Sequence, residues 1–205
     1  MKLCALNKQN NSDLIVFFSG WGADVNMFKT MKADGFDVIM FYDYSDYFVP
    51  NFDFSNYKKI YLIAWSMGVL MSQVLELNYD KKIAINGTLL PVHDKFGIPE
   101  KIYNLTINNF NDTTKSKFSK KIGLNCELTR TNDELKNELI KIKEYQQLCS
   151  NSKIKFDKAY ISINDKIFPY ENQKLFWTMK NTEITTIDAN HYIPFSSWKE
   201  ILNGR

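Results

Sequence analysis

The sequence predicts an α/β protein with a mostly parallel central sheet, flanked by helices, as one domain over residues 1–205. Three observations support this prediction. The chain is long enough to bury one sizeable core. Aliphatic, aromatic and cysteine residues make up 44% of it, as in globular proteins. Continuous apolar runs of strand length alternate with helix-length segments, which is the pattern of parallel strands buried on both faces.

Four apolar runs in the first half of the chain predict strands. The first, over residues 13–22, ends in the glycine-containing loop FFSGWG. The next strands are predicted at 36–44, 58–66 and 81–90. The segment 67–77, MGVLMSQVLEL, is apolar nearly all round, which is typical of a helix buried against a sheet. These elements build the first half of an α/β sheet.

A lysine-rich insertion at about 99–152 interrupts this alternation, and we predict that it forms a helical lid. It contains no convincing strand. Its clearest helix lies at 131–148, where Thr131 and Glu134 have the spacing of a capping box. Three apolar residues follow at helical spacing and define one buried face: Leu135, Leu139 and Ile142.

The strand and helix alternation resumes after the insertion. We predict a strand at 156–165, a helix at 169–180 and a last strand at 182–188. Ser197 and Glu200 have the spacing of a second capping box, which predicts a final helix.

Composition and charge exclude several classes of function. The formal net charge is only +3, and lysine supplies nearly all the positive charge, with arginine only at Arg130 and Arg205. We therefore expect no nucleic-acid partner. The three cysteines, Cys4, Cys126 and Cys149, lack metal-type spacing, so we expect reduced thiols, no metal and no cofactor. The polar N-terminal segment and the lack of a long apolar run predict a cytoplasmic protein without a membrane span.

The stretch Ala64-Trp65-Ser66-Met67-Gly68 lies between a predicted strand and a predicted helix. This is the context of a nucleophile elbow, a tight turn that lifts a serine hydroxyl above the edge of a sheet. The turn needs small residues two positions before and two positions after the serine. We therefore predict that Ser66 is a nucleophile.

A serine nucleophile needs a base and an acid, and the chain offers few candidates. It has only two histidines. His191 follows the last predicted strand, and Asp165 ends the strand before it. Ser66, Asp165 and His191 stand in the nucleophile, acid and base order of α/β-hydrolases. Asp94 and Asp188 remain open as alternative acids. His93 is interpreted as a loop residue.

Stabilising an oxyanion requires two backbone N–H groups, one of which follows the nucleophile. Met67 provides that group. The loop after the first strand provides the second, since Gly20 and Gly22 permit close backbone approach and Trp21 lies between them. We predict that Trp21 and Met67 donate the two N–H groups.

Four stretches together resemble a known family: FFSGWGADVNMF, YLIAWSMGV, AINGTLLPVHDKFGIP and HYIPF. They are similar to the short pimeloyl-acyl-carrier-protein methyl ester esterases of biotin synthesis, the BioG type. The resemblance implies an α/β-hydrolase that releases methanol from the pimeloyl ester. It implies Ser66 as nucleophile, His191 as base and Asp165 as acid, with Trp21 and Met67 as oxyanion donors.

The same resemblance implies a carrier-protein partner and an apolar acyl channel. Because a pimeloyl chain is apolar between its ends, we expect Trp21 and Trp65 to line the channel. Because acyl-carrier proteins are acidic, we expect positive charge at its mouth. The residues predicted to dock the carrier protein are Lys117, Lys120, Lys121 and Arg130. Four more lysines belong to the same basic group: Lys115, Lys136, Lys141 and Lys143.

Two other functions remain open on the sequence. One is a general carboxylesterase that acts on short free acyl esters. The other is a binding protein on a hydrolase scaffold without catalytic activity, which a complete set of Ser66, His191 and Asp165 disfavours.

Overall fold

The computed structural model describes residues 1–123, 128–149, 154–193 and 195–203. Within these residues, seven strands form one sheet in the order β1-β3-β2-β4-β5-β6-β7, and six α-helices accompany it. The strands are β1 (Lys2–Asn7), β2 (Asp13–Phe18), β3 (Phe36–Tyr42), β4 (Lys59–Trp65), β5 (Lys81–Ile85), β6 (Lys158–Ser162) and β7 (Glu183–Ile187). The helices are α1 (Gly68–Met71), α2 (Glu100–Asn109), α3 (Asp112–Ile122), α4 (Asn132–Leu148), α5 (Tyr170–Met179) and α6 (Trp198–Asn203).

The sheet is mostly parallel, as the sequence predicted, and both of its faces are buried. β1 runs antiparallel to β3, and the other neighbouring strands pair in parallel. Successive residues of a strand point to opposite faces. In β2, Val16 belongs to the same buried cluster as Trp177 of α5. The next residue, Phe17, packs edge-on against Trp198 of α6, with ring centroids 4.8 Å apart. This burial explains the continuous apolar runs.

The carboxyl ends of the parallel strands meet at one edge of the sheet. Ser66 directly follows β4, Asp165 lies shortly after β6, and His191 lies shortly after β7. The loop that carries Trp21 follows β2 at the same edge. Open α/β sheets place their functional sites at this edge, because loops from separate strands converge there.

The predicted helix at 67–77 is shorter than expected. α1 ends at Met71 and continues as one turn of 3-10 helix over Ser72–Val74, after which Leu75 is extended. The Ser72 hydroxyl donates to the Val69 carbonyl oxygen at 2.9 Å, a local bond that competes with helical pairing. The apolar run continues beyond the helix because the following residues still pack on the core. The pattern indicated burial, not helix length.

The N-terminal strand β1 was not predicted. It is an edge strand whose residues are half-buried or exposed, so it lacks the apolar run that marks the inner strands. It pairs with β3 along most of its length. Among the remaining predictions here, Cys4 and Cys149 are free thiols, whereas Cys126 lies outside the described residues.

The segment between β5 and β6, which we call the helical insertion, contains α2, α3 and α4. The Thr131 and Glu134 capping box is present at the start of α4. The Tyr103 hydroxyl of α2 donates to the Leu139 carbonyl oxygen of α4 at 2.8 Å, which ties these two helices together. In the described parts of the chain, no helix is both long enough and apolar enough to cross a bilayer. That the insertion opens as a lid stays a prediction.

The second predicted capping box is only half formed. The Glu200 N–H donates to the Ser197 hydroxyl at 3.2 Å. The Glu200 carboxylate accepts from the N–H of Ser196, at 3.0 Å, instead of that of Ser197. α6 begins at Trp198, as this spacing predicts.

Candidate active site

Ser66 lies in a sharp turn between β4 and α1. Its φ is +58°, in the left-handed region that residues other than glycine rarely adopt. Its N–H donates to the Ile85 carbonyl oxygen at 2.8 Å. A Cβ on Gly68 would lie 2.3 Å from the Phe18 carbonyl oxygen, and a Cβ on Gly87 would lie 2.2 Å from that of Ser66. Only glycine fits at these two positions, which explains the final glycine of the A-x-S-x-G pattern.

Ser66, His191 and Asp165 form one chain of hydrogen bonds. The Ser66 Oγ lies 2.9 Å from His191 Nε2, and His191 Nδ1 lies 2.8 Å from Asp165 Oδ2. All three residues are buried, with exposed fractions of 4%, 1% and 9%. In the tautomer with its proton on Nδ1, His191 donates that proton's hydrogen bond to the carboxylate, and Nε2 can accept the serine proton. This is the arrangement of a serine nucleophile with its base.

The Asp165 carboxylate is held by donors on both oxygens. Oδ1 accepts from the N–H groups of Ile167 and Phe168, at 2.8 and 2.9 Å. Oδ2, which also faces His191, accepts from the side-chain amide of Gln173 at 3.1 Å. Gln173 is fully buried on α5. Sequence reasoning missed it, because a single glutamine on a helix carries no signal of its partner.

The backbone of His191 is held by two side chains. Trp65 donates its indole N–H to the His191 carbonyl oxygen at 3.0 Å, and Asn86 donates its amide to the same oxygen at 2.7 Å. Asn86 also bonds to Ser162 at the end of β6, as donor to its hydroxyl and as acceptor from its N–H. Asn86 therefore joins the loop after β5 to the His191 loop. It was missed as a site residue, although it belongs to the INGT stretch.

The alternative acids and the second histidine make local contacts. Asp188 accepts from the side chain of Asn164 at 2.7 Å. Asp94 accepts from the backbone N–H that begins α2. His93 Nδ1 accepts from the N–H of Lys95. The structure therefore brings Asp165, and neither of the other two aspartates, into hydrogen-bond contact with His191.

A cavity lies above Ser66 and His191, and Trp21, Trp65 and Met67 also line it. Among the described residues, no hydrogen-bond acceptor is found for the backbone N–H groups of Trp21 and Met67. Two such N–H groups beside a serine are the components of an oxyanion site. The helical insertion supplies most of the remaining wall, which is largely apolar and includes Ile102, Tyr103, Phe118, Ile122 and Leu139.

Three of the predicted docking lysines are exposed on α3: Lys117, Lys120 and Lys121. Lys121 also lines the cavity. Lys117 and Lys121 border a second, apolar groove between α2 and α3 that shares Phe118 with the cavity. One of these positive charges, that of Lys121, therefore lies at the cavity itself, and that of Lys117 lies at the adjoining groove.

The structure does not support the prediction that Arg130 docks a carrier protein. Its side chain is only 10% exposed, and it forms ion pairs with Asp43 at 2.7 Å and with Glu138 at 2.8 Å. A guanidinium buried between two carboxylates is not available to a partner protein. In the wider basic group, Lys141 and Lys143 also form ion pairs, with Glu144 and Glu100.

Comparison with known proteins adds family evidence. The family model described as pimeloyl-ACP methyl esterase BioG matches residues 1–201. A Bacteroides fragilis protein named malonyl-[acyl-carrier protein] O-methyltransferase is 37% identical over 194 residues, which is 88% of this chain. The chain spans only 39% of that protein's length. A Haemophilus influenzae protein without an assigned function is 33% identical over 202 residues, covering 92% of this chain and 93% of the relative.

Solved structures show the same fold. The crystal structure of BioG from Haemophilus influenzae matches with a TM-score of 0.89 and 30% identity, over 98% of this chain and 99% of that chain. A lipase-esterase related protein from Clostridium acetobutylicum has a TM-score of 0.63 at 16% identity, over 98% and 94%. An esterase from Exiguobacterium antarcticum has a TM-score of 0.66 at 13% identity, over 93% and 87%. The architecture is that of the α/β-hydrolases.

Proposed function

We propose, because the chain belongs to the BioG family of pimeloyl-ACP methyl esterases, that it hydrolyses the methyl ester of pimeloyl-acyl-carrier protein by a serine mechanism. The products are pimeloyl-acyl-carrier protein and methanol, and the pathway is biotin biosynthesis. The observation that carries the serine mechanism is the hydrogen-bonded chain of Ser66, His191 and Asp165 beneath an apolar cavity.

In the first half of the reaction, the Ser66 oxygen attacks the ester carbonyl carbon while His191 Nε2 takes the serine proton. The carbonyl oxygen becomes negatively charged, and the N–H groups of Trp21 and Met67 stabilise it. His191 then gives its proton to the methoxy oxygen. Methanol leaves, and the acyl chain stays on Ser66.

In the second half, water repeats the attack. His191 takes a proton from the water molecule, whose oxygen adds to the acyl carbon and displaces Ser66. The proton returns to the serine oxygen. Asp165 holds the imidazole in the required orientation and stabilises its positive charge in both halves. The two N–H bonds to Asp165 Oδ1 keep that carboxylate in place.

The cavity and the lysines support the choice of substrate. An apolar wall built from the helical insertion suits a seven-carbon acyl chain. Exposed Lys117, Lys120 and Lys121 suit an acidic carrier protein at the entrance. The name of the Bacteroides relative also includes an acyl-carrier protein. No methyltransferase activity is proposed, since the match covers only 39% of that relative.

The test is direct hydrolysis of pimeloyl-acyl-carrier protein methyl ester by the purified protein. Methanol release and the mass of the carrier-bound product are measured, with the Ser66→Ala variant as control. We expect hydrolysis by the wild type alone. Cleavage of short free esters without cleavage of the carrier-bound ester would make the protein a general carboxylesterase. Failure of a fluorophosphonate to label Ser66, together with no hydrolysis, would make it a binding protein on this scaffold.

A further inference from the structure

Glu138 of α4 is a fully buried carboxylate that the proposed reaction does not use. Its two oxygens accept from three donors. Oε1 accepts from the N–H of Tyr44 at 2.9 Å. Oε2 accepts from the N–H of Gly22 at 3.1 Å and from the Arg130 guanidinium at 2.8 Å. One side chain of the helical insertion therefore holds the loop after β2 and the loop after β3.

The loop that Glu138 holds is the loop that carries the Trp21 N–H. Gly22 N belongs to the peptide plane that follows Trp21, so its bond to Glu138 restrains the backbone of Trp21. The indole N–H of Trp21 donates to the Leu135 carbonyl oxygen of α4 at 2.8 Å. The Tyr44 hydroxyl donates to the Ser19 carbonyl oxygen at 2.8 Å. The loop is thus attached at three points, two of them directly on α4.

The positive charge of Arg130 partly offsets the cost of burying the Glu138 carboxylate. Burial raises the pKa of Glu138 above its ordinary value, while the Arg130 guanidinium and the N–H groups of Tyr44 and Gly22 act in the opposite direction. Arg130 also donates to Asp43, beside Tyr44, at 2.7 Å. The fork of the guanidinium bridges both carboxylates, which a lysine ammonium does not reproduce.

We propose that Glu138, supported by Arg130, is a positioning residue that sets the backbone of the Trp21 loop, so that the helical insertion completes the oxyanion site. This inference rests on the proposed serine mechanism. A carboxylate suits the role because both of its oxygens accept hydrogen bonds. A glutamine of the same shape would turn its NH₂ group toward one set of N–H donors and lose that attachment.

The experiment compares wild type, Glu138→Gln and Arg130→Lys, with Glu144→Gln as the matched control. Glu144 lies on the same helix but is exposed and pairs only at the surface. The number of active sites is counted by labelling with a fluorophosphonate to completion. The kcat per labelled site and KM are measured on p-nitrophenyl acetate. Inhibition by a trifluoromethyl ketone is measured in parallel, because its tetrahedral adduct carries an oxyanion.

We expect Glu138→Gln to lower kcat per labelled site by roughly 10- to 100-fold, somewhat less than the loss of a whole oxyanion donor. The affinity for the ketone should fall by a similar factor, with KM nearly unchanged. Arg130→Lys should show a smaller effect in the same direction, and it decides the question if Glu138→Gln does not fold. Glu144→Gln should match the wild type.

A purely structural role predicts a different result. The number of labelled sites would fall, while kcat per labelled site and ketone affinity stayed at wild-type values in both variants, and this outcome would overturn the inference. Wild-type protein that takes no label at all would instead remove the proposed serine mechanism, and the inference with it.

Discussion

The indole N–H of Trp65 donates to the backbone carbonyl oxygen of His191 at 3.0 Å. Trp65 directly precedes Ser66, so one side chain links the turn of the proposed nucleophile to the loop of its base. The two rings also lie close, with centroids 5.4 Å apart. Trp65 also lines the cavity. The sequence analysis predicted that Trp65 lines the acyl channel, but not that it holds the His191 loop.

Replacing Trp65 with phenylalanine keeps an apolar ring and removes the N–H. Asn86 still donates to the same oxygen, so we expect the His191 loop to loosen without being released. The free energy of unfolding should fall by about 1 kcal/mol or somewhat more, the usual value of one buried hydrogen bond plus the lost ring area. The kcat on a small ester should fall several-fold. Urea unfolding and steady-state kinetics measure both, and an unchanged kcat would leave Trp65 with a packing role alone.

Removing the proposed nucleophile should abolish turnover without unfolding the chain. Ser66→Ala should lower kcat by roughly 10³-fold or more, by analogy with other serine enzymes. The variant should melt at or slightly above the wild-type temperature, and it should take no fluorophosphonate label. More than a few per cent of wild-type activity in a clean preparation would refute the assignment of Ser66.

The choice between two aspartates can be tested by a matched pair of variants. Asp165→Asn should lower kcat strongly, because an amide does not stabilise the imidazolium and turns a donor toward His191. Asp188→Asn should be mild, since Asp188 contacts Asn164 in this structure. Equal protein yield and melting temperature would show that both variants fold. The reverse order of activities would make Asp188 the acid.

The exposed lysines of α3 should act on the carrier-bound substrate alone. Replacing Lys117, Lys120 and Lys121 with alanine should lower kcat/KM for the carrier-bound ester by about tenfold or more at low salt. The loss should shrink as salt rises, since the Debye length is only about 8 Å at physiological ionic strength. Hydrolysis of p-nitrophenyl acetate should change far less, since Lys121 alone among the three lines the cavity.

A matched control for these lysines lies at the opposite edge of the sheet. Lys8, Lys58 and Lys59 are exposed there, near the beginnings of the parallel strands. Their triple alanine variant removes the same charge and should hydrolyse the carrier-bound ester at the wild-type rate. If both triple variants lose activity equally, net charge and not the α3 surface governs the encounter.

The buried Glu138 should leave a signature in the pH dependence of stability. Burial raises its pKa in the folded state, so the folded protein binds a proton more tightly than the unfolded chain. The contribution of this group to stability is therefore complete below its unfolded pKa and declines as pH rises through its folded pKa. We expect the stability advantage of wild type over Glu138→Gln to shrink with rising pH in urea unfolding. An advantage that grows with pH would mean that Arg130 outweighs burial.

The sequence was informative where function follows from strand order. Ser66 and Asp165 follow the buried, largely apolar strands β4 and β6, and His191 follows the shorter, less buried β7. Their meeting at one edge could therefore be predicted from the alternation of elements. Glu138 could not be found this way. Its partners Gly22 and Tyr44 lie about a hundred residues earlier in the chain, and a glutamate on a helix looks in sequence like an ordinary solvent-facing charge.

The same limit explains the errors. Arg130 stands among exposed lysines in the sequence, and only the packing of α4 against the loop of Asp43 shows that it is buried. α1 is shorter than predicted, and Ser72, which directly follows it, donates its hydroxyl to the Val69 carbonyl oxygen. A serine hydroxyl can form several different local hydrogen bonds, and the sequence does not predict which of them forms. The apolar pattern predicts which residues are inside, but it does not predict which polar groups accompany them.

The attachment of Glu138 has a consequence for engineering. Replacing the helical insertion by that of another hydrolase is one way to alter the wall of the cavity. Here a chimaera with a foreign insertion would keep Ser66 and His191 but leave the N–H groups of Gly22 and Tyr44 without their acceptor. Each unpaired buried group costs about 1–3 kcal/mol. A successful graft would have to bring its own inward-facing carboxylate at the position of Glu138, with a guanidinium beside it.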